Sequence, residues 1–208
     1  LKDNVTYSSH KVLGLENKTP IILGGLYVLI SISIFYPIVS ININIALALI
    51  TLLGLLSDKN ILPSPKIRFL IQILILIFLV FIENLSIRDL KYQFLNELLS
   101  SDFFNLFFLV FCLAILLNGS NFLDGLNGLV SGYYIIILLS LLFLNNSFSE
   151  QNLLAVEKDF LILFLFILII FFVFNIFGLV YLGDSGTYAI ALLIGIYLIK
   201  FNFLNDKI

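Results

Sequence analysis

Three short stretches carry the residue types that phosphate and metal chemistry needs. NGSNFLDGLNG (118–128) sets Asn118, Asn121 and Asp124 three residues apart, with Gly125, Asn127 and Gly128 following. On a helix, that step keeps all three polar groups on about a third of the circumference. Amide carbonyls and a carboxylate are oxygen ligands of the kind Mg²⁺ takes. Gly125 and Gly128 would keep the same face shallow enough for a ligand to approach the backbone. YLGDSGT (181–187) puts Asp184 between Gly183 and Gly186, with Ser185 and Thr187 beside it. Successive N–H groups in such a turn, at the start of a helix, can face an anion. GLLSDKNILPSPKIRFLIQ (54–72) places Asp58 ahead of Lys66 and Arg68, cations that suit phosphates at a membrane surface.

Each stretch also has a plainer reading. The first is a helix-ending turn at an interface, where Asn, Gly and Asp are common. The second is an ordinary helix cap on Asp184 or Ser185. The third is a Pro-bounded turn flanked by membrane-surface cations. His10, beside Lys11 in SSHK, is a lone histidine.

The elements that must position these residues follow from composition. The chain is 61% hydrophobic, 12% charged, and has a mean hydropathy of +1.15. That is the profile of a polytopic membrane protein, one domain over residues 1–208. Lipid offers no partner to open backbone groups, so the spans should be helices. Seven are expected, at about 21–39, 43–56, 67–82, 103–117, 129–144, 160–177 and 188–201. Seven spans alternate sides, which puts 57–66, 118–128 and 178–187 on one face together with the N-terminal segment. That face carries Lys2, Lys11, Lys18, Lys59, Lys66 and Arg68, against Arg88, Lys91, Lys158, Lys200 and Lys207 opposite. The bias points weakly to a cytoplasmic face. SIRDLKYQFLNELLSSD (86–102) reads as a short amphipathic helix on the far surface. Tyr27, Tyr36, Tyr133, Tyr134, Tyr181, Tyr188 and Tyr197 lie near span ends and read as interfacial anchors.

Other classes drop out. A net charge of −2 gives no case for nucleic acid. One His and one Cys cannot build a zinc site of nitrogen and sulfur ligands. Cys112, inside an apolar run, reads as a small buried hydrophobe, and no internal disulfide is possible. The sequence holds no Met and opens with LKDNVTYSSH, unlike a signal peptide, so a fragment is expected.

Three acidic turns on one face suggest a magnesium-dependent phosphate site at the bilayer surface, acting on a lipid phosphate. Here the chain resembles the polyprenyl-phosphate N-acetylhexosamine-1-phosphate transferases of glycosyltransferase family 4. SSHK…TPIILGG is similar to that family's entry loop, and GLLSDKNILPSPKIRFLIQ to its Asp-Asp loop leading to a Lys/Arg and a Gln. NGSNFLDGLNGL is similar to its Asn-rich motif, and YLGDSGTY to its Gly-Asp-Ser-Gly motif.

The resemblance implies transfer of N-acetylhexosamine-1-phosphate from a UDP-sugar to a polyprenyl (undecaprenyl) phosphate. The products are polyprenyl-diphosphate-sugar and UMP, an early membrane step of cell-envelope polysaccharide assembly. It implies Mg²⁺, with Mn²⁺ as an alternative, bound by Asp184 and Asn121. It implies Asp124 at the reacting phosphates and Asp58 near the lipid phosphate as catalytic groups. Asn118, Asn127, Lys66, Gly183, Ser185 and His10 would line the substrate site. The partners implied are the lipid phosphate, the UDP-amino sugar, the membrane and, as an option, a second copy in a homodimer. The setting implied is the inner (cytoplasmic) membrane, with the site on the cytoplasmic face.

The chain departs from the family in three ways. Ser57-Asp58 stands where the family has Asp-Asp. The loss should be tolerable, because a phosphate monoester is mostly unprotonated at neutral pH and needs no strong base. Asn127 resembles the branch acting on surface-polysaccharide and O-antigen lipids. Family members also have a span before the entry loop and a His/Arg loop after Gly-Asp-Ser-Gly. Two rival readings are a transporter with intramembrane acids and an inactive relative that scaffolds an assembly complex.

Overall fold

The computed structural model describes residues 21–22, 24–35, 40–87, 90–148 and 155–205. The described part of the chain is a bundle of eight helices. They are α1 (Gly24–Phe35), α2 (Ile41–Asp58), α3 (Pro65–Ile82), α4 (Gln93–Leu99), α5 (Asp102–Leu123), α6 (Leu129–Phe148), α7 (Ala155–Ile176) and α8 (Gly183–Asn205). One two-residue parallel pairing joins β1 (Ile21–Ile22) to β2 (Val180–Tyr181), with Ile21 opposite Val180 and Ile22 opposite Tyr181.

Each of the seven expected spans contains a helix, but among the described residues five helices rather than seven are long and apolar enough to cross a membrane. These are Ile41–Asp58, Pro65–Ile82, Asp102–Leu123, Lys158–Ile176 and Gly183–Phe201. Gly24–Ile34 and Leu129–Leu144 are apolar but shorter. The 12 residues of α1 rise only about 18 Å, against a hydrocarbon core of about 30 Å. The expected far-surface helix is present as α4.

Helix packing in lipid gains little from excluding water, so small residues that let backbones approach matter most. α8 is the axis of the bundle, packed against α1, α2, α5 and α6. Its spanning window is 78% buried, against 28–44% for the other four. The sequence allows this because Gly186, Ala189, Ala191 and Gly195 lie on α8. A Cβ on Gly195 would stand 2.5 Å from Leu113 Cδ2 of α5, so that contact depends on glycine. Around the axis the core is aliphatic, with Leu47 and Ile50 of α2, Leu113 and Leu117 of α5, and Ile190 and Leu193 of α8 buried.

The bundle end opposite the three polar stretches is held by amides. Buried Asn105 donates from Nδ2 to the Ile87 carbonyl (2.5 Å) and the Leu99 carbonyl (2.9 Å) and accepts from the Ile87 N–H (3.2 Å). Glu83 at the end of α3 accepts from Ser40 Oγ and, at 2.9 Å, from Asn42 Nδ2. Two expectations from the sequence are corrected. Cys112 is exposed on the outside of α5, not buried. Tyr134, Tyr188 and Tyr197 are buried in the bundle, not interfacial anchors. The Tyr134 hydroxyl meets Ser120 Oγ and the Tyr188 hydroxyl meets Asn121, which lets each ring enter the core. Tyr36 lies outside the described residues.

Candidate active site

The three stretches are the terminal turns of four helices, and they meet at one end of the bundle. α2 continues to Asp58, α3 begins at Pro65, α5 continues to Leu123, and α8 begins at Gly183. Asn118 and Asn121 are therefore helical, and Asp124 is the capping residue of α5. Pro65 suits the first position of α3 because its missing N–H would have no helical partner there.

α8 starts under unusual local conditions. Gly183 adopts φ +67, a left-handed value that favours glycine. Neither Leu182 nor Gly183 has a side-chain oxygen, so neither can cap the first amides of the helix. The cap comes from α2. Asp58 Oδ1 accepts from the Asp184 N–H at 2.8 Å, and Asp58 Oδ2 accepts from the Ser185 N–H at 3.2 Å. Such an approach needs bare backbone on α2: a Cβ on Gly54 would stand 2.5 Å from the Ser185 nitrogen. Gly25 of α1 closes the other flank, where a Cβ would stand 2.6 Å from Ser185 Cβ.

The Asp184 carboxylate is gripped from α2 and α3. Its Oδ2 accepts from Ser57 Oγ at 2.5 Å and from Arg68 Nη1 at 2.8 Å. Arg68 Nη1 also donates to Ser57 Oγ, so the three side chains form a closed triangle. The Arg68 and Asp184 side chains are 20% and 23% exposed, so the ion pair lies at the edge of the bundle rather than in its core. One helical turn into α8, the Tyr188 hydroxyl accepts from Asn121 Nδ2 at 3.4 Å. Asn118 Nδ2 donates to Gln72 Oε1 on α3 at 3.0 Å and to the Ala114 carbonyl at 2.8 Å.

The structure thus brings Asp58, Asp184, Asn118 and Asn121 together. Asp124 is partly exposed just beyond α5, while Asn127 and Lys66 are exposed at the same end of the bundle. Gly183 and Ser185 are buried, Ser185 completely, between α1 and α2. His10 lies outside the described residues. The pair of glycines expected to keep the Asn/Asp face shallow is split. Gly125 is open, with nothing within 4 Å of a Cβ placed on it. Gly128 is buried at φ +80 against Phe172 and Ile176 of α7, because the chain must turn there into α6.

Four residues of the assembly were not among the site residues expected from the sequence, though Arg68 was read as a cation suited to phosphates and Ser57 as standing in for an acid: Ser57, Arg68, Gln72 and Tyr188. Arg68 and Gln72 are one turn apart on α3, a spacing the sequence does display. A fifth, Asn175 of α7, is buried and joins the far wall. Its Oδ1 accepts from the Gly128 N–H at 2.7 Å and its Nδ2 donates to the Val180 carbonyl at 2.8 Å. It fixes the turn after α5 to the strand that leads into α8.

Among the described residues, no three His, Cys, Asp or Glu side chains converge into a protein-only metal cage. The donor set does fit a hard cation shared with a ligand. Both contacts of the Asp184 carboxylate among the described residues fall on Oδ2, and Asn121, whose amide nitrogen meets Tyr188 one turn further along α8, has an amide oxygen of the kind such a cation takes. Mg²⁺ is commonly held this way, by one or two carboxylates with substrate phosphates and water completing its shell.

No curated protein matches the chain. The model of one family, described as glycosyl transferase family 4, matches residues 40–202, well over half of the 208 residues. The matched segment runs from the start of α2 into the last turns of α8 and includes every residue of the polar assembly. With its apolar spanning helices and that match, the chain is a membrane protein that belongs to glycosyl transferase family 4.

Proposed function

We propose that the chain transfers N-acetylhexosamine-1-phosphate from a UDP-sugar to a polyprenyl phosphate, releasing UMP. Family membership supports a membrane sugar-phosphate transferase in general. The observation that carries the finer reading is the Ser57–Arg68–Asp184 triangle with Asp58, Asn118 and Asn121 beside it. Acid, guanidinium and amides from four helices converge at one end of an apolar bundle. A diphosphate joined to a polar nucleotide and a phosphate joined to a lipid could meet at such a place.

Phosphoryl transfer asks mainly for positioning and for neutralising charge on the phosphate oxygens. A lipid phosphate oxygen attacks the β-phosphorus of the UDP-sugar. The bond from that phosphorus to the bridging oxygen breaks, and UMP leaves with the electron pair. Arg68 and Lys66 place positive charge on the phosphate side. Asn118, fixed by Gln72, and Asn127 offer amide groups to the sugar nucleotide. Asp124, at the open end of α5, lies at the reacting phosphates. Asp184 and Asn121 would hold Mg²⁺, which supplies Lewis-acid stabilisation of the diphosphate charge. Asp58 belongs to the same assembly, with both its oxygens bound to the backbone of α8.

Acids and amides concentrated at helix ends favour this reading over a transporter, whose ion ligands are expected near the bilayer midplane. The membrane proposed is the cytoplasmic one, with the site facing the cytoplasm. The test is UMP release by the detergent-purified chain, given undecaprenyl phosphate, a panel of UDP-N-acetylhexosamines, and Mg²⁺ or EDTA. Metal- and lipid-dependent UMP that disappears in Asp124→Asn and Asp184→Asn is the expected result. UMP that ignores both substitutions, or none at all, would overturn the reading.

A further inference from the structure

We infer that Asp58 is a positioning residue for Asp184 and does not itself touch the substrate. The inference rests on the transferase reading for its kinetic readout only. The argument starts from the first turn of α8. Its leading amides have no partner inside the helix, and Leu182 and Gly183 have no side chain that can cap them. Asp58 supplies the missing acceptor from another helix, one oxygen to the Asp184 N–H (2.8 Å) and the other to the Ser185 N–H (3.2 Å). Glycine at 54 and at 25 lets α2 and α1 close on Ser185 so tightly that a single Cβ would collide with it. Both Asp58 oxygens are engaged by the backbone at the start of α8. The Asp58 carboxylate is aimed at protein backbone.

The neighbouring residue points elsewhere. Ser57 reaches the Asp184 side chain, which Arg68 also holds. Asp58 therefore sets where the Asp184 backbone stands, and Ser57 with Arg68 sets where its carboxylate points. A negative charge at a helix N-terminus also suits the local dipole. The carboxylate that family resemblance would send to the lipid phosphate is engaged in holding its partner's helix.

Hydrogen–deuterium exchange of the Leu182–Thr187 segment and UMP kinetics, measured together on the full chain, separate a cap from a catalyst. The variants are Asp58→Asn, Asp58→Ser and Asp58→Ala. The Asn amide oxygen can accept one of the two bonds without the carboxylate's charge, while its NH2 cannot accept the other; the Ser hydroxyl is one atom too short to reach, and Ala has no acceptor. Asp58→Asn keeps one of the two backbone bonds, so segment protection is expected to fall part of the way towards that of Asp58→Ala and turnover to fall with it, while the pH profile of kcat and KM for the lipid phosphate stay as in the parent. Asp58→Ala is expected to exchange about 5- to 30-fold faster in that segment. Its turnover should fall about 100-fold, as misplacing a reacting group by about 1 Å does.

Across the series, turnover that tracks protection upholds the proposal. Lost turnover in Asp58→Asn with protection intact overturns it, because the charge itself would then be at work. Unchanged protection in Asp58→Ala overturns it as well. If Asp58→Ala does not survive purification, Asp58→Ser takes its place. If the wild-type chain releases no UMP, the transferase reading fails while the exchange arm still decides the cap.

Discussion

Arg68 Nη1 on α3 lies 2.8 Å from Asp184 Oδ2 on α8, and the same nitrogen donates to Ser57 Oγ on α2. One guanidinium thus ties three helices at the point where the proposed cation and diphosphate would sit. Arg68→Gln should lower kcat/KM for UMP release about 10- to 150-fold, the range for losing a hydrogen bond to a charged group. Arg68→Lys keeps the charge but not the planar fork, so it should recover only part of the loss. Steady-state kinetics of the three proteins check this.

Removing the guanidinium also removes a positive charge next to Asp184. The Mg²⁺ concentration giving half-maximal UMP release should therefore fall in Arg68→Gln, by about three- to tenfold given the screening at this partly exposed site. A Mg²⁺ titration of residual activity would refute the idea if the midpoint stayed put or rose.

Gly54 and Gly119 should respond to alanine with opposite signs. At Gly54 the new methyl group meets the Ser185 backbone, and α2 and α8 must separate. A cost of about 1–3 kcal/mol is expected from overpacking, with loss of UMP release as the first turn of α8 shifts. At Gly119 nothing lies within 4 Å, so Gly119→Ala should stabilise α5 by about 0.4–1 kcal/mol. Circular-dichroism melts in detergent read both.

Asn175→Ala should destabilise the chain by about 1–3 kcal/mol, because it leaves the Gly128 N–H and the Val180 carbonyl without their partner. Activity should fall further than stability does, since the turn carrying Asp124 loses its tether to the entry of α8. Melts and UMP release measured on the same preparation separate the two effects.

Asn105→Ala serves as the contrasting case. It removes three hydrogen bonds at the opposite end of the bundle. A similar loss of stability is expected, with kcat per folded molecule unchanged within about twofold because distant sites act independently.

The sequence carried the helices of the bundle well. Apolar runs in a chain without soluble character leave only helices, and alternation alone placed Asp58, Asp124 and Asp184 on one face. Span ends were less legible. The expected spans stopped at about 56 and 117 and began at about 188, yet α2, α5 and α8 run through the polar residues. Asn and Gly have low helix propensity, but packing on neighbouring helices overrides it. Of the span expected over 21–39, the described helix covers Gly24–Phe35, while α6 continues past the expected end at 144 to Phe148. Least legible were the partnerships. That Asp58 caps α8, that Arg68 reaches Asp184, and that Asn175 clasps Gly128 all depend on backbones brought within contact by Gly54 and Gly25 or by the turn at Gly128. Nothing local in the sequence displays such proximity.

The burial of α8 has a consequence for the order of events during synthesis. The helix that α1, α2, α5 and α6 surround emerges after all of them. Those four must enter the bilayer with their inner faces unpartnered and wait for their axis. The β1–β2 pairing, which links Ile21–Ile22 to Val180–Tyr181, cannot close until most of the chain has been made. Contacts between such distant parts of a sequence form late and slowly. Until α8 arrives there is no Asp184 for Arg68 to meet, and a nascent chain halted in α7 would present a loose set of membrane helices without the Ser57–Arg68–Asp184 triangle.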